Sequence, residues 1–253
     1  MEIVPLSAFR DNYIWTLVEE DRCIVVDPGD AVPVLRFLRE RSLRLAAILI
    51  THRHNDHVGG IGELLAHFSV PVFGPLSEPI PHITHALVEG DIVRPPGLSC
   101  SFKVLEVPGH TEGHIAYYGE GILFCGDTLF AAGCGRLLGG TVEQLFESLQ
   151  RLAALPPKTK VYCTHEYTLS NLRFARAAEP DNQEIAARQQ HCEALRANNQ
   201  ITLPSTIGEE LNSNPFLRWR EATVRANAER AAGHKLDSGL AVFAATRAWK
   251  DQF

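Results

Sequence analysis

Seven short runs rich in β-branched and aromatic residues, all before about residue 166, constrain this chain more than anything else in it. They read "YIWTLVE", "CIVVDPG", "AAILITH", "VPVFGP", "FKVLEVPGH", "GILFCGD" and "KVYCTH". Bounded by Gly, Pro and Asp, such runs predict strands. Helical spacing lies between some of them, most clearly in "TVEQLFESLQRLAALPP", where Val142, Leu145, Phe146, Leu149 and Leu152 share a face. Thr141 with Gln144 predicts a capping box, and Pro156 and Pro157 end the helix. Strands mixed with helices imply a layered α/β domain. Beyond His165 the runs stop and three or four capped helical stretches are expected. One lies near 170–178, one near 182–198 opened by Asp181 and Glu184, and two follow Pro215. This change of pattern places a boundary near 166–172 and divides the chain into 1–167 and a helical 168–253.

The 253 residues carry a net charge of −6, spread unevenly. Residues 1–170 hold 13 basic and 20 acidic side chains, and residues 171–253 hold 11 and 10. The tail is relatively basic yet too balanced for a nucleic-acid surface. The six cysteines form no CxxC pair and no compact disulfide framework, so reduced thiols in a cytosol are the expectation. The opening "MEIVPLSAFRDNYIW" has an early acid and no long apolar core, and no stretch approaches the roughly 20 apolar residues that span a bilayer. A cytoplasmic protein without membrane partners is expected.

Four of the strand runs end in a metal-capable group: His52, His110, Asp127 and His165. Strand ends converge on one rim of a layered α/β fold, where rigid elements hold donors and loops leave access. The stretch "HRHNDH" adds His54, Asp56 and His57. On an extended segment His52 and His54 point the same way, whereas adjacent Asp56 and His57 diverge. Seven donors exceed a closed tetrahedral site. Two ions sharing Asp127 as a bridging carboxylate would use all seven and leave room for a bridging water. Imidazole and carboxylate suit zinc, iron or manganese, and no thiolate-rich set suggests iron–sulfur chemistry. Such a pair acidifies water and polarises a carbonyl, which makes a hydrolase without a serine or cysteine nucleophile.

The remaining histidines, His67, His82, His85, His191 and His234, are read as packing or surface residues. His114 is expected to support the site rather than ligate. Cys125 is read as a small buried apolar residue. Asp27 either supports the donors or caps a turn.

"THRHNDH" with His110, Asp127 and His165 resembles the metallo-β-lactamase superfamily, whose members include lactamases, lactonases, nucleases, sulfur dioxygenases and thioester hydrolases. The resemblance implies a four-layer αββα sandwich. Four further motifs, "GCGRLLGGT", "THEYTLSNLRFA", "NPFLR" and "RAWKDQF", are similar to the glyoxalase II (hydroxyacylglutathione hydrolase) family over essentially the whole chain. That resemblance implies a metallo-β-lactamase-like catalytic part and a helical glutathione-binding part. It implies hydrolysis of S-D-lactoylglutathione to glutathione and D-lactate, the second step of methylglyoxal detoxification. His52, His54 and His110 would hold one metal, Asp56, His57 and His165 the other, with Asp127 bridging and zinc the expected ion. Arg136, Tyr167, Arg247 and Lys250 would grip glutathione. Where mammalian relatives have a further tyrosine in the Arg136 loop, this chain has Leu138, and that contact is not carried over.

Within "SGLAVFAATRAWKDQF", Leu240, Phe243, Ala244, Arg247 and Lys250 follow helical spacing, so both cations continue the apolar stripe. Complementing the helix dipole would be the bland role for them. The expected chemistry is attack of a metal-bridging hydroxide on the thioester carbonyl, with Asp56 orienting it. The partner is a small glutathione thioester met by a monomer. A persulfide dioxygenase, a lactonase, or a non-catalytic metal-binding module whose basic tail grips an acidic partner are the alternatives.

Overall fold

β-branched runs become strands where turns let them pair. The computed structural model describes residues Met1–Phe253 in two units. The first comprises Met1–Val107 with Thr111–Gly126, the second Pro108–His110 with Asp127–Phe253. The second therefore gathers, besides the helical tail, the segments that carry His110, Asp127 and His165.

In chain order the first unit contains β1 (Glu2–Ala8), β2 (Asn12–Glu19), β3 (Arg22–Val26), α1 (Ala31–Arg41), β4 (Arg44–Leu49), α2 (Asn55–Val58) and α3 (Ile61–His67). It continues with β5 (Val72–Pro75), β6 (His85–Leu87), β7 (Ile92–Val93), β8 (Phe102–Glu106), β9 (Ile115–Gly119) and β10 (Ile122–Gly126). One sheet runs β1-β2-β3-β4-β5-β6. Tight turns join β1, β2 and β3, which pair antiparallel, while β3 to β6 pair parallel. Parallel neighbours need crossovers, supplied by α1 before β4 and α3 before β5. Val34, Leu38, Ile61 and Leu64 of these helices bury against Val25 and Ile48 of the sheet. Asp30 starts α1 by accepting from Val32 N–H at 2.9 Å. Pro33 sits in the first turn, where its missing N–H costs nothing.

Strands β7 to β10 pair antiparallel as neighbours. Buried Tyr117 of β9 donates its hydroxyl to the Ile50 carbonyl at 2.8 Å, fastening this layer to the end of β4.

The second unit contains β11 (Leu129–Phe130), β12 (Gly133–Cys134), α4 (Val142–Ala153), β13 (Lys160–Cys163) and α5 (Thr168–Ala178). Then come α6 (Gln183–Ala197), β14 (Ser205–Thr206), α7 (Ile207–Ser213), α8 (Ala222–Ala232) and α9 (Gly239–Gln252). The capping box on α4 is present: Thr141 Oγ1 accepts from Gln144 N–H, and Gln144 Oε1 accepts from Thr141 N–H. Two local expectations are corrected. Helix α6 is capped by Asn182, not Asp181, since the Asn182 side chain reaches the Glu184 and Ile185 amides. The tail also holds the short strand β14, paired with β13, and the short helix α7.

Buried Glu210 of α7 organises the loop between β11 and β12. One oxygen accepts from Ala132 N–H at 2.7 Å and Asn214 Nδ2 at 3.0 Å, and the other pairs with Arg188 of α6 at 2.7 Å. Asn214, in "NPFLR", also donates to the carbonyl of Gly133 at 2.9 Å. All six cysteines are buried and none is in a disulfide. No helix is long and apolar enough to cross a membrane.

Candidate metal centre and substrate site

In the first unit, the segment leaving β4 carries "THRHNDH". His52 Nε2 and His54 Nδ1 stand 3.0 Å apart, as expected of alternate residues on an extended segment. Two nitrogens each roughly 2.0–2.1 Å from a tetrahedral ion would be about 3.3 Å apart, so this pair has the spacing of shared ligands. Adjacent Asp56 and His57 do not diverge, which corrects the expectation made for extended chain. They lie on the one-turn helix α2, and Asp56 Oδ2 comes 3.6 Å from His57 Nε2.

Asp27 resolves in favour of supporting the donors. Almost wholly buried, it accepts from Thr51 N–H and Thr51 Oγ1, each at 2.7 Å, and its Oδ2 is 3.0 Å from His57 Nδ1. Thr51 Oγ1 gives its proton to Asp27, which leaves a lone pair for His52 Nδ1–H at 3.1 Å. The carboxylate thus orients the His52 imidazole through Thr51, leaving His52 Nε2 as the acceptor, and its Oδ2 lies beside His57 Nδ1. His114 is buried and stacks on His52 with centroids 4.5 Å apart, a supporting place. Asn12 Nδ2 donates to Asp56 Oδ2 at 2.9 Å, a contact 44 residues apart with no local sequence signal.

In the second unit, Asp127 Oδ2 lies 3.6 Å from His110 Nε2 and 3.3 Å from His165 Nε2. A single carboxylate oxygen facing two imidazoles suits a ligand shared between ions. His110 Nδ1–H donates to the Arg136 carbonyl at 2.8 Å, again leaving Nε2 as acceptor. Gly135 permits this packing: a Cβ there would stand 2.1 Å from the Asp127 carbonyl and 3.0 Å from His110 Nδ1. His165 stacks on Tyr167 at 4.7 Å with planes 4° apart, and Phe130 meets both edge-on.

The donors that could hold a metal ion are His52, His54, Asp56 and His57 of the first unit and His110, Asp127 and His165 of the second. They are imidazoles and carboxylates with no thiolate, and the outer nitrogens of His52 and His110 are held by hydrogen bonds. The donors of either unit suit a borderline divalent cation. His67, His82, His85, His191 and His234 are all exposed, and none belongs to a donor group.

The four expected glutathione contacts all fall in the second unit. Arg247 of α9 is buried: Nη1 donates to the Cys134 carbonyl at 3.0 Å, Nη2 pairs with Asp251 at 2.9 Å, and its guanidinium lies over Phe216. Arg136 is largely exposed, with Nε 3.7 Å from the same oxygen of Asp251. Lys250 is half-buried over Phe174, and burial, then the charges of Arg247, Arg173 and Arg136, hold its pKa below the ordinary lysine value. Asp251 is a member that sequence reading misses, because only the fold brings Arg136 to it.

This fold and these donors define the metallo-beta-lactamase superfamily, whose model matches residues 9–165. The chain belongs, within it, to the hydroxyacylglutathione hydrolase family. A model described as "Hydroxyacylglutathione hydrolase C-terminus" matches residues 166–253. The hydroxyacylglutathione hydrolase of Nitrosomonas europaea is 51% identical over 100% of this chain and 97% of its own length. That of Alkalilimnicola ehrlichii is 54% identical, covering 99% of both chains. Among solved structures, ETHE1 from Myxococcus xanthus is similar with a TM-score of 0.67 and 25% identity, covering 99% of this chain and 98% of that one. TTHA1623, solved in a di-iron-bound form, gives 0.60 and 28%, covering 86% and 100%. The architecture is an α/β sandwich with a C-terminal helical domain.

Proposed function

We propose that this chain hydrolyses S-(2-hydroxyacyl)glutathione, chiefly S-D-lactoylglutathione, releasing glutathione and D-lactate, the second step in methylglyoxal detoxification. The observation that carries this reading is the full-length similarity to hydroxyacylglutathione hydrolases, helical C-terminus included. A catalytic part, 1–167, carries the donors, and a helical part, 168–253, grips glutathione together with Arg136.

The seven donors together would hold two divalent ions, zinc first, with iron and manganese the alternatives. His52, His54 and His110 would serve one ion, Asp56, His57 and His165 the other, and Asp127 both. The facing nitrogens of His52 and His54, and the single Asp127 oxygen facing two imidazoles, support this division. When bound, such ions supply water acidic enough to ionise near neutral pH and polarise a carbonyl oxygen.

The chain's own groups do the rest. Arg136, Arg247 and Lys250 meet the carboxylates of glutathione, and Tyr167, flat against His165, offers its hydroxyl. Asp56, steadied by Asn12, would hold a proton of the attacking water. The leaving thiolate comes from a thiol of pKa about 8.5, so no strong general acid is required. Buried thiols outside any disulfide suit a reducing cytoplasm.

Purified protein is expected to hydrolyse S-D-lactoylglutathione, to lose that activity to a chelator, and to contain about two ions per chain by elemental analysis. Oxygen uptake with glutathione persulfide, without thioester turnover, would overturn the assignment in favour of a dioxygenase.

A further inference from the structure

We propose that Glu78 is a positioning residue that holds two loops of the first unit in register and thereby sets how tightly His52 and His54 bind a metal ion. It rests on the metal reading above. Glu78 lies between β5 and β6, and its side chain is wholly buried. Oε2 accepts from Arg53 N–H at 2.5 Å. Oε1 accepts from Arg53 Nη1 at 3.2 Å and from Gly113 N–H at 3.2 Å.

Both partners sit beside donor or supporting side chains. Arg53 lies between His52 and His54, so pinning its amide fixes the direction in which both imidazoles leave the backbone. Gly113 immediately precedes His114, whose ring stacks on His52. Glu78 thus ties the loop of His52 and His54 to the loop of His114. The approach is tight: a Cβ on Gly113 would stand 2.5 Å from Glu78 Cγ and 3.0 Å from Ser77.

Stability alone does not call for a charge here. Buried ion pairs can often be exchanged for well-packed apolar groups at little cost, and Arg53 is only partly covered. What an apolar residue cannot do is accept from two amides on different loops at once. The donor geometry would relax without that link, as with other groups that orient metal ligands, whose loss typically costs about 10–100-fold in metal affinity.

The test measures zinc affinity of metal-stripped protein by competition with a chromophoric chelator, for wild type, Glu78→Gln, Gly113→Ala and His54→Ala. Urea unfolding of the stripped proteins is followed in parallel. Glu78→Gln is expected to bind zinc about tenfold or more weakly with an unfolding midpoint close to wild type. Gly113→Ala should weaken zinc in the same direction. If Glu78→Gln does not fold, Gly113→Ala decides by the same criterion. Affinity unchanged in the folded variants, or lost only in step with the unfolding midpoint, overturns the role of Glu78. Wild type that takes up no zinc, or His54→Ala that binds as wild type does, overturns the metal reading and this proposal with it.

Discussion

Arg247 and Lys250 show how one side chain's surroundings decide its use. A cation needing only the helix dipole would lie at the exposed end of α9, but Arg247 is buried and its Nε has no hydrogen-bond partner. Lys250 keeps its charge among Arg247, Arg173 and Arg136, with Asp251 beside them. Desolvated cations of this kind bind a carboxylate more strongly than exposed ones, because less water must be displaced. Replacing both, Arg247→Ala with Lys250→Ala, should raise KM for lactoylglutathione by about ten- to a hundredfold while kcat falls far less. An unchanged KM would remove them from the site. The lowered pKa of Lys250 carries a sign: the ammonium is lost at a pH below the ordinary lysine value of 10.5, so KM should climb on the alkaline side before that pH is reached. In Lys250→Arg, which stays charged, the climb should vanish.

At the scale of elements, helix α7 does more than its seven residues suggest. Through Glu210 it satisfies the Ala132 amide, the Asn214 side chain and the largely covered Arg188, and so holds the loop between β11 and β12 that leads to Cys134 and Arg136. Removing one partner of a buried pair strands the other charge. Glu210→Ala is therefore expected to cost about 3–5 kcal/mol in urea unfolding. Glu210→Leu with Arg188→Met should recover much of that loss, because neither charge is then left buried alone. A single variant as stable as wild type would show the network to be dispensable.

Over the whole molecule, the strand runs, the α4 cap and the four long tail helices are legible because each is written locally, in period, cap and breaker. Elements that break a local rule for a tertiary reason are not. Strand β1 contains Pro5, tolerated because β1 is the edge of its sheet. Helix α1 contains Pro33, tolerated in its first turn. The same divide runs through the candidate site. His52, His54, His110, Asp127 and His165 can be picked out because they close strand runs or crowd one motif. Asn12, Glu78 and Asp251 act on residues 44, 25 and as many as 115 positions away, and nothing local marks them. The buried cysteines have a consequence of a different kind. Burial pushes the thiols of Cys23 and Cys163 up to about 12 and that of Cys100 to about 11, so almost no thiolate exists at neutral pH. A catalyst that sheds a thiol among electrophilic carbonyls would thereby present no nucleophilic sulfur of its own to be capped or exchanged. Intact protein treated with iodoacetamide should gain no mass until denaturant is added, and prompt labelling of the native fold would show that this chemical silence does not hold.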